Sequence, residues 1–225
     1  MNKGKRQIGI LGGSFNPVHM GHIGLAEETR EKFSLDQILF MPVFQSPHKS
    51  HIALTSTTHR MEMLRLALKG SAYFGISNTE MRREEVSYTI DTLRHLRLTY
   101  SNSELFLIMG YDNLLDLDSW KGSREIMKKC HILIASRPDS KPFSSIDKVF
   151  GLFNGDSPYR LGKKKNKTQE FIHRETEKKL VVYDISPRDI SSSVVRERLA
   201  CGKSVDNLLP LEVETYIIEH RIYKT

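Results

Sequence analysis

Short apolar runs alternate with longer amphipathic stretches along nearly the whole chain. Ile8 to Leu11 is apolar and stops at Gly12 and Gly13, which predicts a buried strand running into a tight turn, with a helix from about His22 to Phe33 behind it. Ile38 to Phe44 predicts a second buried strand. A helix face marked by Met61, Leu64 and Leu68 follows, then a weaker strand over Tyr73 to Ser77. Tyr88 and Thr89 start a helix whose buried stripe is Ile90, Leu93 and Leu96. Leu105 to Met109, fully apolar as a strand covered on both faces is, reads as another strand, and Ile132 to Ala135 and Leu180 to Ile185 follow strand pattern as well. The serines at 191–193 precede a helix that stops at Gly202. Pro210 opens a last helix, in which Val213, Tyr216, Ile217 and His220 follow helical spacing and are expected to pack against the sheet. From Asp139 to about Lys179 the alternation breaks down. That piece holds SKPFSS, NGDSPYRLG and the basic run Lys163 to Lys167, and reads as a surface excursion of uncertain order.

Alternation of this kind implies an α/β fold: a Rossmann-like doubly wound parallel sheet with helices on both faces. The expected organisation is one domain over residues 1–225, interrupted by the excursion at about 139–179. Hydrophobic content of 39% and charged content of 27% allow a sizeable core. A net charge of +7 suits polyanionic substrates and loose nucleic-acid binding equally, so it selects neither. Cys130 and Cys201 have no redox or metal spacing, which fits a reducing cytoplasm. The apolar run after the basic first residues is too short for a signal peptide, and no stretch is long enough to span a membrane.

Two stretches carry chemistry. In QIGILGGSFNPVHMGH, Gly12 and Gly13 let backbone approach a ligand at the start of a helix, where amides and the helix dipole favour an anion. His19 and His22 lie three residues apart, so both rings can face one guest, and Gly21 leaves room beside them. Phosphate is the natural guest. The stretch has neither dinucleotide-binding Gly spacing nor a P-loop lysine. Zinc is a weaker rival, since no third ligand stands at metal-motif spacing. In DISSSVVR, three serines at a helix start exceed what one cap needs, and Arg196 falls on the first turns. Neither stretch contains a nucleophile paired with a base, so a covalent intermediate is not indicated.

GGSFNPVHMGH and ISSSVVR together resemble the paired signatures of the nucleotidyltransferases that share the HxGH and ISS(S/T)xxR motifs. Within that superfamily the chain is similar to the bacterial nicotinate-nucleotide adenylyltransferases, over nearly its whole length except 139–179. The resemblance implies transfer of the adenylyl group of ATP to nicotinate mononucleotide in NAD biosynthesis. It places His19, His22 and Arg196 in catalysis. It assigns ATP to Gly12, Gly13, Ser14, Phe15, Gly21, Gly110, Asp112, Ile190, Ser191, Ser192 and Ser193, with Ser192 and Ser193 on the β- and γ-phosphates. It assigns the mononucleotide to Lys49, Tyr88, Thr89, Trp120 and Arg137, with Trp120 stacked on the pyridine ring. Asp112, at a strand tip, also suits a helix cap through Asn113 to Leu117, and Tyr111 departs from the small residue usual beside it. Mg²⁺ is expected on ATP itself, with no metal site in the protein. The expected partners are the two nucleotides, without nucleic acid or membrane; a homo-oligomer is left open. Nicotinamide-mononucleotide and pantetheine-phosphate adenylyltransferases are the neighbouring activities, although the latter usually has Thr where His19 stands. A nucleotide-binding regulator and a nucleic-acid binder are the non-enzyme alternatives.

Overall fold

The computed structural model describes residues 4–45, 54–83, 86–136, 145–165, 167–186 and 188–223. Its elements are, in chain order, β1 (Arg6–Gly13), α1 (Met20–Phe33), β2 (Gln37–Pro42), α2 (Thr57–Ala67), β3 (Phe74–Ile76), α3 (Thr79–Arg83), α4 (Thr89–Thr99), β4 (Ser103–Gly110), α5 (Asp112–Leu115), α6 (Ser123–Lys129), β5 (His131–Ser136), α7 (Ser145–Gly151), β6 (Tyr159–Lys165), β7 (Thr168–His173), β8 (Lys179–Asp184), α8 (Ser192–Ala200) and α9 (Leu211–Glu219). A single 3-10 turn, Leu117–Ser119, follows α5. This is the expected α/β fold with a mostly parallel sheet. Among the described residues no helix is long and apolar enough to cross a membrane.

Contacts divide the chain into two compact units. The first holds Met1–Leu11, Phe33–Asp36 and Tyr88–Pro187. Its strands run in the order β1-β4-β5-β8-β7-β6. The β1–β4, β4–β5 and β5–β8 pairs are parallel. Ile8, Ile10, Leu105, Leu107, Ile132, Ile134, Leu180 and Val181 form its core and are almost fully enclosed. Continuous burial along β5 and β8 is what parallel strands covered on both sides require, and it explains why these were the legible strands.

The reading of 139–179 as an excursion needs correction. From Ser145 onward the described residues are regular: α7, then β6 and β7, which continue the sheet antiparallel from β8. Two features hide this in the sequence. Along β7 the buried positions are Gln169, Phe171 and His173, so two of the three inward residues are polar and the period of two has no apolar signature. Along β6 only Tyr159 is buried and the strand ends in exposed lysines, so that strand exists through its ladder with β7. The ladder shifts register between Leu161 and Lys164. Gly162 lies at that shift, and a Cβ there would meet the Glu170 carbonyl oxygen at 3.0 Å.

The second unit holds Gly12–Lys32, Gln37–Ser87 and Arg188–Thr225. Here β2 and β3 pair in parallel, and Phe15, Ile23, Phe40, Met63, Leu64, Val195, Val213 and Ile217 are buried. The last helix, expected against the sheet, packs on α2: the Tyr216 hydroxyl lies 2.9 Å from His59 Nδ1, and their rings meet edge-on. The predicted stop of α8 has a physical form, and α9 ends alike. Gly202, at φ +65°, ends α8 with Lys203 N–H donating to the Arg198 carbonyl and Gly202 N–H to that of Leu199. Arg221, at φ +52°, ends α9 in the same way, with Ile222 N–H on the Ile217 carbonyl and Arg221 N–H on that of Ile218.

Candidate active site

The two signature stretches meet inside the second unit. The segment from Ser14 to Pro17 leaves β1, and Phe15 is buried within it at φ +45°, a left-handed conformation uncommon for a non-glycine residue. Three side chains from elsewhere take up the carbonyls of this turn. Arg60 donates Nη1 to the Ser14 carbonyl at 2.9 Å, Arg196 donates Nη1 to that of Asn16 at 2.8 Å, and the Ser192 hydroxyl donates to that of Pro17 at 2.9 Å. These contacts overcome the backbone strain. They also bring the second signature onto the first: Ser191 caps α8 by accepting from Val194 N–H, while Ser192 reaches the Pro17 carbonyl and Arg196 that of Asn16.

The spacing of the two histidines has a structural meaning that the sequence does not spell out. The His19 carbonyl accepts from the N–H groups of His22 and Ile23, which makes His19 the residue that caps the start of α1. Three positions on, His22 turns its Nδ1 back to accept the His19 N–H at 3.2 Å, as the third residue of a capping box does. A ring nitrogen that accepts a backbone N–H carries no proton, so a neutral His22 ring has its proton on Nε2. The two imidazoles lie 3.7 Å apart between centroids with their planes tilted by 30°, and Phe15 meets His22 edge-on at 5.0 Å. Gly13 and Gly21 are where side chains would intrude. A Cβ on Gly13 would touch the Phe15 ring at 3.0 Å, and one on Gly21 would touch His19 Nδ1 at 3.0 Å. The space beside Gly21 is therefore occupied by His19. Ile190 lies beside Gly21 as well, its Cβ 3.6 Å from the same point.

Three residues of this arrangement have no counterpart among the expected site residues. Asn16 is 2% exposed, and its Oδ1 accepts from Thr55 N–H at 3.2 Å and from the Tyr223 hydroxyl at 2.7 Å. Arg60 is 1% exposed. Besides Ser14 it donates to the carbonyls of Thr55, Val43 and Phe44. Burial lowers its pKa, with Tyr223 acting weakly in the other direction. A legible trace of Arg60 does exist, because it occupies the buried phase of α2 shared by Met63 and Leu64, an odd place for a cation. Tyr223 has no such trace.

Gly110, Asp112, Tyr88, Thr89 and Trp120 lie in the first unit. Gly110 ends β4, and Tyr111 rather than Asp112 stands at the helix cap, with the exposed Asp112 as the first residue of α5; this corrects the expected helix over Asn113 to Leu117. Tyr111 donates its N–H to the Ala135 carbonyl. Thr89 begins α4 behind Tyr88, whose side chain makes no cap hydrogen bond. Trp120 closes the 3-10 turn. Its neighbours fold onto the start of α4: Lys121 Nζ sits 4.2 Å over the Tyr88 ring and 3.2 Å from the Asp91 carboxylate, and Gly122 lies against Ile90. Tyr88, Thr89 and the 120–122 segment are thus brought together, and Lys121 joins them. Lys49 and Arg137 lie outside the described residues.

Comparison with known proteins accords with this geometry. The cytidylyltransferase-like family model matches residues 10–198. The chain is 38% identical over 225 residues to a probable nicotinate-nucleotide adenylyltransferase of Geotalea daltonii, covering 96% of this chain and 98% of that one. It is 34% identical over 218 residues to one of Carboxydothermus hydrogenoformans, covering 97% and 98%. Among solved structures, the Plasmodium falciparum nicotinic acid mononucleotide adenylyltransferase complexed with NaAD is similar in fold, with a TM-score of 0.70, 19% identity and 97% of each chain covered.

Proposed function

We propose that this chain, which belongs to the cytidylyltransferase-like family and within it to the nicotinate-nucleotide adenylyltransferases, works by direct in-line attack with its two histidines and Arg196 as donors to the phosphates. It is a nucleotidyltransferase of NAD biosynthesis. In the reaction, a 5′-phosphate oxygen of nicotinate mononucleotide bonds to the α-phosphorus of ATP while the bond from that phosphorus to the bridging oxygen breaks. Deamido-NAD and pyrophosphate leave.

One observation carries the mechanism: His22 Nδ1 is occupied by the His19 N–H. A ring held in that way offers a proton at Nε2 rather than a lone pair, so it suits stabilising charge and not abstracting a proton. No base is required, because the attacking phosphate arrives ionised. Catalysis is then positioning plus neutralisation of the charge that builds on the bridging oxygen and the leaving pyrophosphate. Arg196 supplies a fixed cation, and the amides opening α1 and α8 supply aligned dipoles. Ser193, whose exposed hydroxyl lies 3.0 Å from that of Ser191, is the serine assigned here to a phosphate oxygen. Ser192 contributes by holding the Pro17 carbonyl. The donors at this site are imidazole, hydroxyl and guanidinium, which suit phosphate oxygens, so ATP is taken as its magnesium complex.

Preference for the acid over the amide follows from the group around Tyr88. Lys121 stands over Tyr88 and is shared with the Asp91 carboxylate, so this cation and the helix-start amides of α4 are the groups a substrate carboxylate would face. A carboxamide would turn an NH₂ toward some of them. Such a mismatch costs about 1 to 3 kcal/mol per buried donor, roughly 10- to 100-fold. The test is pyrophosphate release with MgATP and each acceptor in turn. The expected order of kcat/KM places nicotinate mononucleotide above nicotinamide mononucleotide, with 4′-phosphopantetheine inert. Equal use of acid and amide would refute the preference.

A further inference from the structure

We infer that Tyr223 is a positioning residue for adenylyl transfer: its hydroxyl fixes Asn16, whose carbonyl holds Arg196. The inference rests on the role given above to Arg196. The links are short and continuous: Tyr223 Oη to Asn16 Oδ1 at 2.7 Å, then Asn16 O to Arg196 Nη1 at 2.8 Å. Thr55 N–H, donating to the same Oδ1, fixes which way the amide of Asn16 faces, so the hydroxyl must be the donor to it. Burial pushes the Tyr223 pKa up to about 12, which keeps that proton in place throughout the working range.

The path of the chain argues that this contact is built rather than incidental. After α9 the turn at Arg221 reverses the backbone, Ile222 is buried against the helix end, and Tyr223 follows at φ +64°. A second left-handed non-glycine residue so close to the first costs of order 1 kcal/mol or more and persists only where something holds it. The hydroxyl bond to Asn16 and a side-chain hydrogen bond with Thr55 are polar contacts that do so. Asn16 meanwhile lies in the turn whose Ser14 and Pro17 carbonyls are taken by Arg60 and Ser192, so a shift at Asn16 is passed to the Arg196 guanidinium through its carbonyl and to Thr55 through its side chain.

A structural anchor and a positioning residue differ in what the loss of one oxygen does. Tyr223→Phe keeps the ring and its burial. It is expected to lower kcat about fivefold to tenfold, the size of one neutral hydrogen bond, while KM for MgATP and for nicotinate mononucleotide stays within about twofold. In an Arg196→Ala background the same substitution is expected to change kcat less than about twofold, because the group it positions is gone. An anchor that only supports the fold would produce equal losses in both backgrounds, or a fall in melting temperature with both KM values raised. Either of those results, or an unchanged kcat in Tyr223→Phe alone, overturns the inference. If Arg196→Ala itself turns over at the normal rate, the role of Arg196 fails and takes this inference with it. If Arg196→Ala is slow and the losses simply multiply, only the role of Tyr223 falls. Tyr223→Met, which also lacks the hydroxyl, carries the same comparison should the Phe variant melt below the assay temperature.

Discussion

Gly21→Ala separates the stability of α1 from the alignment of its histidines. A Cβ at this position would lie 3.0 Å from His19 Nδ1 and 3.1 Å from its Cε1. Ordinary contact between such atoms is about 3.5 Å, so the ring must retreat by roughly half an ångström. It has little room to do so, being 5% exposed and 3.7 Å from the His22 ring, with the backbone N–H of His19 on His22 Nδ1. Displacement of one imidazole therefore disturbs the other. For stability the terms oppose each other: replacing glycine by alanine in a helix gains about 0.5 to 1 kcal/mol, and overpacking a filled site costs about 1 to 3 kcal/mol. The net change is a loss of roughly 0 to 2.5 kcal/mol, visible as a drop in melting temperature. Activity should suffer more. A misplacement near 1 Å costs about 100-fold, so half of that is expected to lower kcat about tenfold. Circular dichroism melting and pyrophosphate release at saturating substrates measure the two quantities. A Gly21→Ala enzyme that turns over within about twofold of the parent would refute the claim that the position of His19 matters to the chemistry.

Replacing Lys163, Lys164, Lys165 and Lys167 by serine is expected to leave kcat unchanged at saturating substrate, while making the protein self-associate as its concentration rises in gel filtration. These lysines are exposed on and beside β6, the last strand in its order, where charge protects an open edge from pairing; collapse of kcat with the fold intact would place the run in the site. Acid should destabilise the first unit through His131. Burial, with the charge of Lys178, holds its pKa down to about 4, against about 6.5 unfolded, so it is neutral in the native state and Lys178 is the true partner of the Glu104 carboxylate despite the 3.6 Å His131–Glu104 approach. Below pH 6.5 the unfolded chain takes up a proton that the folded one refuses, so stability falls as pH drops from 6.5 to 4, by up to about 3 kcal/mol. Glu104, whose pKa burial would raise but the bond and charge of Lys178 bring down on balance, acts in the same direction. The melting temperature should therefore decline between pH 6.5 and 5 and decline less in His131→Gln; a flat profile in the parent would refute it.

What the sequence determined by itself was whatever is encoded locally. The apolar runs of β1, β4, β5 and β8 needed no tertiary knowledge, because a parallel strand covered on both faces is apolar at every position. The signature segments were equally plain, since Ser191 at a cap and histidines at cap and third position are short-range patterns. Tertiary structure alone decided the rest. β6 and β7 are strands by virtue of a ladder, and their own residues, a lysine run and a buried Gln and His, argue against it. Ser192 reads as one more hydroxyl for phosphate, and only the fold shows it donating to a carbonyl 175 positions away. Arg60, Asn16 and Tyr223 matter because backbone carbonyls of the Ser14 to Pro17 turn must find donors once buried. Which distant side chains supply those donors is settled by packing, and packing has no period to read.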